Sequence, residues 1–391
     1  MKEIYLDFAA TTFTRPEVLK AMNPFFTRDF GNPSSLHNAG LKAKKALADS
    51  RQKVAGIIGA RPEEVIFTGS GTESINLAIK GVARALKKQG KGNHIITSKI
   101  EHHAVLDSCR FLQENEGFEI TYLSVDKYGT VDLEELSERI TSKTILISIM
   151  YANNEIGTIQ PIHDIAKIAR ESNVLFHTDA CQAGFELDVN VQNLGVDLMT
   201  LNGSKIYGPK GTGMLFVKKG TPIQAIIQGG GQERGLRSGT ENVPGIVGFA
   251  KALEICQKQK SKEAKRQEKL RDYFIKKLKK IPGVVLNGHP TERLPNNVNV
   301  SIMGIEGEAM LLRLNELGVC ASSGSACTST SLDPSHVILA TGVSFEQAHG
   351  SLRFSLGLTT TKKDLDFIMQ KLPKIVKDLR QLSPVDFEKL K

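Results

Sequence analysis

The sequence predicts an α/β protein: a large domain on a mostly parallel seven-stranded sheet covered by helices, followed by a smaller α+β domain. Three observations lead there. Apolar β-rich segments alternate with amphipathic helical stretches from about residue 40 onward, as in parallel strands joined by helical crossovers. A length of 391 residues exceeds one ordinary core and suits two domains. Beyond a charged helical stretch from Lys251 to Lys280, strands and helices follow a different, mixed order.

The expected strands of the large domain are Glu64 to Thr68, His94 to Ser98, Glu119 to Ser124, Thr144 to Met150, Val174 to Thr178, Leu198 to Leu201 and Met214 to Val217. Ser74 to Leu86 carries the helical signal between two of them, because Ile75, Ala78, Ile79, Val82 and Leu86 fall on one face. In the second part, Val298 to Ile302, Val319 to Ser322 and Ser351 to Leu356 read as strands. These segments predict a large domain over 13–255 and a small one over 256–391, with residues 1–12 packing on the latter.

Composition narrows the class. Hydrophobic residues at 40% and charged residues at 24% exclude a disordered chain or collagen-like repeats. The formal charge of +9 draws attention to nucleic acid. Its lysines concentrate between Lys251 and Lys280, however, where Leu253, Leu270, Phe274 and Leu278 recur at roughly helical spacing. A solvated helix face accounts for this better than a nucleic-acid groove, and leaves open attraction of an acidic protein. The cysteines Cys109, Cys181, Cys256, Cys320 and Cys327 show no CxxC spacing, so neither a disulfide framework nor a structural zinc site is expected. With no signal-peptide pattern and no apolar run approaching membrane length, the expected setting is the reducing cytoplasm, with no membrane partner.

Three segments suggest chemistry. Gly69-Ser70-Gly71-Thr72-Glu73-Ser74 stands between a strand and a helix, either as a phosphate cradle of backbone N–H groups or as ordinary turn and cap residues. Asp179 follows the strand Val174 to Thr178, at the sheet edge where ligands bind in open α/β folds. It could pair with the protonated pyridine nitrogen of pyridoxal phosphate, or cap a helix. Lys205 lies between two apolar strands, where desolvation would favour a neutral, nucleophilic amine, although a solvated loop lysine is the usual case. Cradle, carboxylate and lysine occur in that order on successive strand ends.

Further motifs make the chain recognisable. Tyr5-Leu6-Asp7-Phe8-Ala9-Ala10-Thr11-Thr12, Gly31-Asn32-Pro33-Ser34-Ser35, Glu101-His102-His103-Ala104-Val105, Asn153-Asn154-Glu155-Ile156-Gly157, Arg237-Ser238-Gly239-Thr240 and Ser322-Ser323-Gly324-Ser325-Ala326-Cys327 resemble the cysteine desulfurase family of the NifS and IscS type. That family has the class V, fold-type I architecture of pyridoxal-phosphate enzymes, and the resemblance spans nearly the whole chain.

The resemblance implies a role for each matching residue. Lys205 would carry the cofactor as a Schiff base and Cys327, on a loop of small residues, would receive sulfur as a persulfide. His102 would stack on the pyridoxal ring and move protons. Asn154 and Gln182 would hydrogen-bond the cofactor, while Gly71, Thr72, Asn202 and Ser204 would hold its phosphate. Thr240 would reach that phosphate from a partner subunit, implying a homodimer with shared active sites. Arg353 would grip the substrate α-carboxylate together with Asn154, although a strand arginine often faces water. The implied reaction takes L-cysteine to L-alanine, and the implied acceptor is an iron-sulfur scaffold protein, with which Cys327 could transiently share a cluster. No other metal is expected.

Three positions depart from the family pattern. Ser204 replaces the usual His before the lysine, Asn202 replaces a Ser two positions earlier, and Leu358 stands where an arginine is expected. The first two changes imply rearranged phosphate contact rather than loss of the cofactor. A selenocysteine lyase or another small-substrate aminotransferase is the rival reading on the same fold.

Overall fold

The computed structural model describes residues 3–324 and 333–382. Strand β1 (Ile4–Tyr5) opens the described chain. The large sheet then collects β2 (Val65–Thr68), β3 (His94–Ser98), β4 (Glu119–Leu123), β5 (Thr144–Ser148), β6 (Leu175–Asp179), β7 (Leu198–Asn202) and β8 (Gly213–Val217). Their order is β2-β8-β7-β6-β5-β3-β4, parallel except for β8, which runs antiparallel to both neighbours.

Alternation along these strands builds a core on each face. Phe67, Ile96, Ile147, Phe176, Met199 and Phe216 enter one apolar cluster, whereas their chain neighbours Ile66, Ile95, Leu146, Leu198 and Leu215 enter another on the opposite face. Both faces are therefore covered, and the strands read as continuous apolar runs rather than as alternating ones. Rungs of hydrogen bonds add cohesion in the sheet centre. His177 on β6 joins Ser148 on β5 at 2.9 Å and Thr200 on β7 at 3.0 Å, and burial lowers its pKa to about 4, so the ring is neutral.

The helix expected over Ser74 to Leu86 runs from Gly71 to Lys88, with a wider π turn over Leu77–Gly81. Ser70 caps it by accepting from Glu73 N at 3.1 Å. The charged helix begins earlier than its lysines suggest, at Val243, and continues without a break to Leu278. Its first part packs Ile246, Phe249, Leu253 and Cys256 into a large-sheet core. Its last turns place Phe274, Ile275 and Leu278 in a separate core. The domain division expected near residue 255 falls inside this continuous helix.

That second core lies beneath a three-stranded antiparallel sheet. Strands β9 (Val284–Leu286), β10 (Asn297–Ile302) and β12 (Ser351–Ser355) occur in the order β12-β10-β9, while the two-residue β11 (Val319–Cys320) pairs in parallel with β1. Leu6 belongs to this core, and Phe8 to a core of the large sheet. The segment from Ile4 to Arg15 thus crosses between the two units and acts as a strap. Among the described residues, no helix is long and apolar enough to cross a membrane.

Candidate active site

Because β2, β3, β5, β6 and β7 point the same way, their carboxyl ends and the loops after them share one edge of the sheet. A cavity of about 360 Å³ opens there. Gly71 and Thr72 after β2, His102 after β3, Asn154 after β5, Asp179 and Gln182 at the end of β6, and Asn202 and Lys205 at the end of β7 all line it. Arg353 enters from the small unit. Ser204 and Thr240 do not line it, and Cys327 lies outside the described residues.

Lys205 ends a single 3-10 turn, Gly203–Lys205, directly after β7. Gly203 is closely packed: a Cβ there would stand 2.7 Å from the Pro209 carbonyl oxygen. The lysine Nζ donates to Ala9 O at 2.7 Å and also to Ala10 O, both on the strap. Thr12 fastens the same loop, donating to Ser204 O from its backbone at 2.8 Å and from its hydroxyl at 2.9 Å, while its Oγ1 accepts from Tyr207 N at 2.8 Å. Tyr207 follows in the left-handed region at φ 57°, a conformation that a tyrosine holds only when its surroundings impose it. Its buried ring contacts Phe8, Phe13 and Phe185, and its hydroxyl accepts from Leu358 N at 3.0 Å.

Asp179 is buried, and one oxygen accepts from Cys181 N at 3.0 Å. It makes a local turn contact while facing the cavity, and it caps no helix, because the chain after β6 runs through turns until the helix Val191–Leu194. His102 lines the cavity and does cap a helix: it is the N-cap of the helix His103–Glu116, with Nδ1 accepting from Ala104 N at 3.0 Å. Burial pushes its pKa down, partly offset by Asp179. A neutral ring whose Nδ1 accepts must carry its proton on Nε2.

Beneath His102, Glu101 ties the ends of β3 and β5 together, accepting from Ser98 Oγ at 2.7 Å and Met150 N at 3.0 Å. Burial raises its pKa to about 8. At the start of the helix after β2, a Cβ on Gly71 would stand 2.7 Å from Cys181 Sγ, so only glycine lets the helix start approach this wall. Asn202 directs Oδ1 to Ser204 N at 3.3 Å, and the Ser204 hydroxyl lies 3.4 Å from the same oxygen. Gln182 Nε2 donates to Ala9 O at 3.0 Å.

Arg353 is 2% exposed, so this strand arginine is buried rather than facing water. Nη2 donates to Asp7 Oδ1 at 2.9 Å and Nη1 to the Asn154 carbonyl at 3.0 Å. The sequence did not single out Ala9, Ala10, His103, Glu155 or His336 as lining residues, nor Asp7 as the partner of Arg353. The strap motif Tyr5 to Thr12 was the available signal, but it bore no distance information.

Comparison with known proteins shows the family. The aminotransferase class-V family matches residues 4–368. A cysteine desulfurase IscS from Dictyoglomus turgidum is 54% identical over 384 residues, covering 98% of this chain and 97% of that protein. One from Methanosarcina thermophila is 53% identical over 384 residues, covering 98% and 94%. Among solved structures, a NifS-like protein superposes with a TM-score of 0.91 at 39% identity, covering 97% of this chain and 100% of that one. A structure of SspA in complex with cysteine gives a TM-score of 0.80 at 37% identity, covering 91% and 99%. Fold and full-length similarity agree: this chain belongs to the aminotransferase class-V family and, within it, to the cysteine desulfurases.

Proposed function

We propose that the cavity holds pyridoxal 5′-phosphate on Lys205 and uses it to move sulfur from L-cysteine to Cys327. The observation that carries this reading is the convergence of the Lys205 amine, the Asp179 carboxylate, the His102 ring and the Arg353 guanidinium on one cavity. The residues fit the cofactor. A volume of about 360 Å³ suits a small aromatic ligand with an amino acid beside it, and the glycine-lined helix start brings backbone donors close to where a phosphate would lie. When bound, the cofactor supplies an aldehyde for the substrate amine and a ring that withdraws electrons from Cα.

The protein's residues divide the remaining tasks. Asp179 would keep a proton on the ring nitrogen. Gly71, Thr72 and Asn202 would hold the phosphate, Ser204, which does not line the cavity, would steady Asn202 through its backbone N–H, and Gln182 would move from Ala9 O to the cofactor. The Lys205 amine would take and return the proton at Cα, and His102 Nε2 would carry a proton at the reacting face. Arg353 and Asn154 would hold the α-carboxylate. The Cys327 thiolate would attack the substrate sulfur, forming an S–S bond as the Cβ–S bond breaks, with its electron pair left on carbon; Cβ then takes a proton and alanine leaves.

The other cysteines support this choice of nucleophile. Burial pushes the thiol pKa up to about 12 for Cys109, and upward for Cys181, Cys256 and Cys320 as well. All four are unpaired thiols, in keeping with a reducing, cytoplasmic setting. Thr240 stands exposed outside its own chain's cavity, which suits a shared-site homodimer. An iron-sulfur scaffold protein is the proposed acceptor of the persulfide, and Cys327 could share a cluster with it during transfer. Alanine and sulfide measured from L-cysteine, with dithiothreitol present to reduce the persulfide, test the reading: wild type should release both, and Cys327→Ala should release neither at an appreciable rate. Sulfide release by Cys327→Ala at the wild-type rate would refute the nucleophile.

A further inference from the structure

Arg353 reaches the cavity from β12 with its charge already matched. Asp7 Oδ1 takes one hydrogen of Nη2 at 2.9 Å, and the Asn154 carbonyl takes one of Nη1 at 3.0 Å. The Gly324 carbonyl lies 3.5 Å from Nη1, and Nε is buried with no acceptor among the described residues. A guanidinium has five N–H donors in a fixed plane, so contacts on both Nη atoms set its orientation and leave donors over for a ligand. Asp7 does not line the cavity and so does not meet the substrate there.

The carboxylate that makes this contact is itself fixed to the strand that carries Arg353. Asp7 bridges to Ser355, two residues beyond Arg353 and on the same face of β12. Ser355 N donates to Leu6 O at 2.7 Å, and Ala9 N donates to Ser355 Oγ at 2.8 Å, so the backbone is anchored on both sides of Asp7. The Tyr5 hydroxyl adds a bond to the Asp7 carbonyl at 3.1 Å. Charge compensation alone would not require a carboxylate registered so closely to the strand.

We propose that Asp7 is a positioning residue for substrate recognition: it sets the plane of Arg353 so that an incoming α-carboxylate meets a fork already aligned. This deepens the functional reading above and rests on Arg353 as the carboxylate grip. Asp7→Asn should raise KM for L-cysteine about tenfold, the loss of one charge-assisted contact, while kcat stays within about threefold. In the cofactor-loaded protein, titration followed by visible absorption should show the same weakening for L-alanine and none for ethylamine, which lacks the carboxylate. Asp7→Asn added to Arg353→Ala should change KM by less than about twofold. If Asp7→Asn does not fold, as judged by thermal melting, Asp7→Ser carries the same titrations. Equal weakening of L-alanine and ethylamine, or an unchanged KM in a folded variant, overturns the proposal. Failure of the wild type to turn over L-cysteine would instead overturn the functional reading itself.

Discussion

The two walls of the cavity are built in different ways. On the sheet wall, each group follows its own strand directly: His102 comes four residues after β3 ends, Asp179 is the last residue of β6, and Lys205 comes three residues after β7. On the opposite wall, Arg353 depends on Asp7 and on the Asn154 carbonyl, partners 346 and 199 residues away in sequence. A strand end positions its residue through local geometry, whereas the Arg353 wall is positioned through the strap that joins two units. Changes on the first wall should therefore damage chemistry, and changes on the second should damage recognition and the joining of the units.

Substitutions can sharpen or break that contrast. The largest effect belongs to Lys205→Ala, which should lower turnover of L-cysteine by on the order of 10⁴-fold or more while the protein keeps its melting behaviour. A matching loss of stability would show that the lysine is a structural tie to Ala9 and Ala10. Arg353→Ala should act mainly on KM, raising it by about 30- to 1000-fold, because truncating one member of a buried charged pair costs about 2–4 kcal/mol. It should also lower stability, since Asp7 loses its partner, and steady-state kinetics beside a denaturant melt would separate the two effects.

Smaller effects are expected where the strap meets the lysine loop. Tyr207→Phe removes the acceptor for Leu358 N and should cost about 1–2 kcal/mol of stability with little change in KM. The last concerns Glu101 and is read as a pH slope. Its pKa of about 8 in the fold stands above the ordinary glutamate value of 4.5, so between those limits the folded protein holds a proton that the unfolded chain has lost. Stability from this group is full below about pH 4.5, declines by up to about 1.4 kcal/mol per pH unit as pH rises toward 8, and levels off above it. Glu101→Gln should flatten that decline in melts run from pH 5 to 9. Glu186, also buried and raised to about 8, keeps its own share of the slope.

The same contrast governs what the sequence could reveal. Inner strands such as Thr144–Ser148 were legible because consecutive apolar residues, here Ile145 to Ile147, mark a sheet covered on both faces, and residues at their ends followed without further information. β1 and β9 were not, being two and three residues long; β1 moreover exists only through pairing with β11, more than 300 residues away. The long helix starts at Val243 rather than near Lys251 because its first turns are apolar on several sides and show no charged face to set against a buried one. Leu358, unaccounted for as a departure from the family pattern, bonds Tyr207 through its backbone N–H, a contact that any non-proline residue could make. Asp7 was visible only as part of a motif, since an ion pair across most of the chain leaves no periodic trace.

The central claim is that Lys205, and not its neighbour Lys210 on the same loop, carries the cofactor. Borohydride reduction of the protein loaded with pyridoxal phosphate, followed by peptide mapping, tests it most directly. The phosphopyridoxyl group should be found on the peptide containing Lys205 and be lost in Lys205→Ala. A label on Lys210, or an unchanged label in Lys205→Ala, would contradict the account.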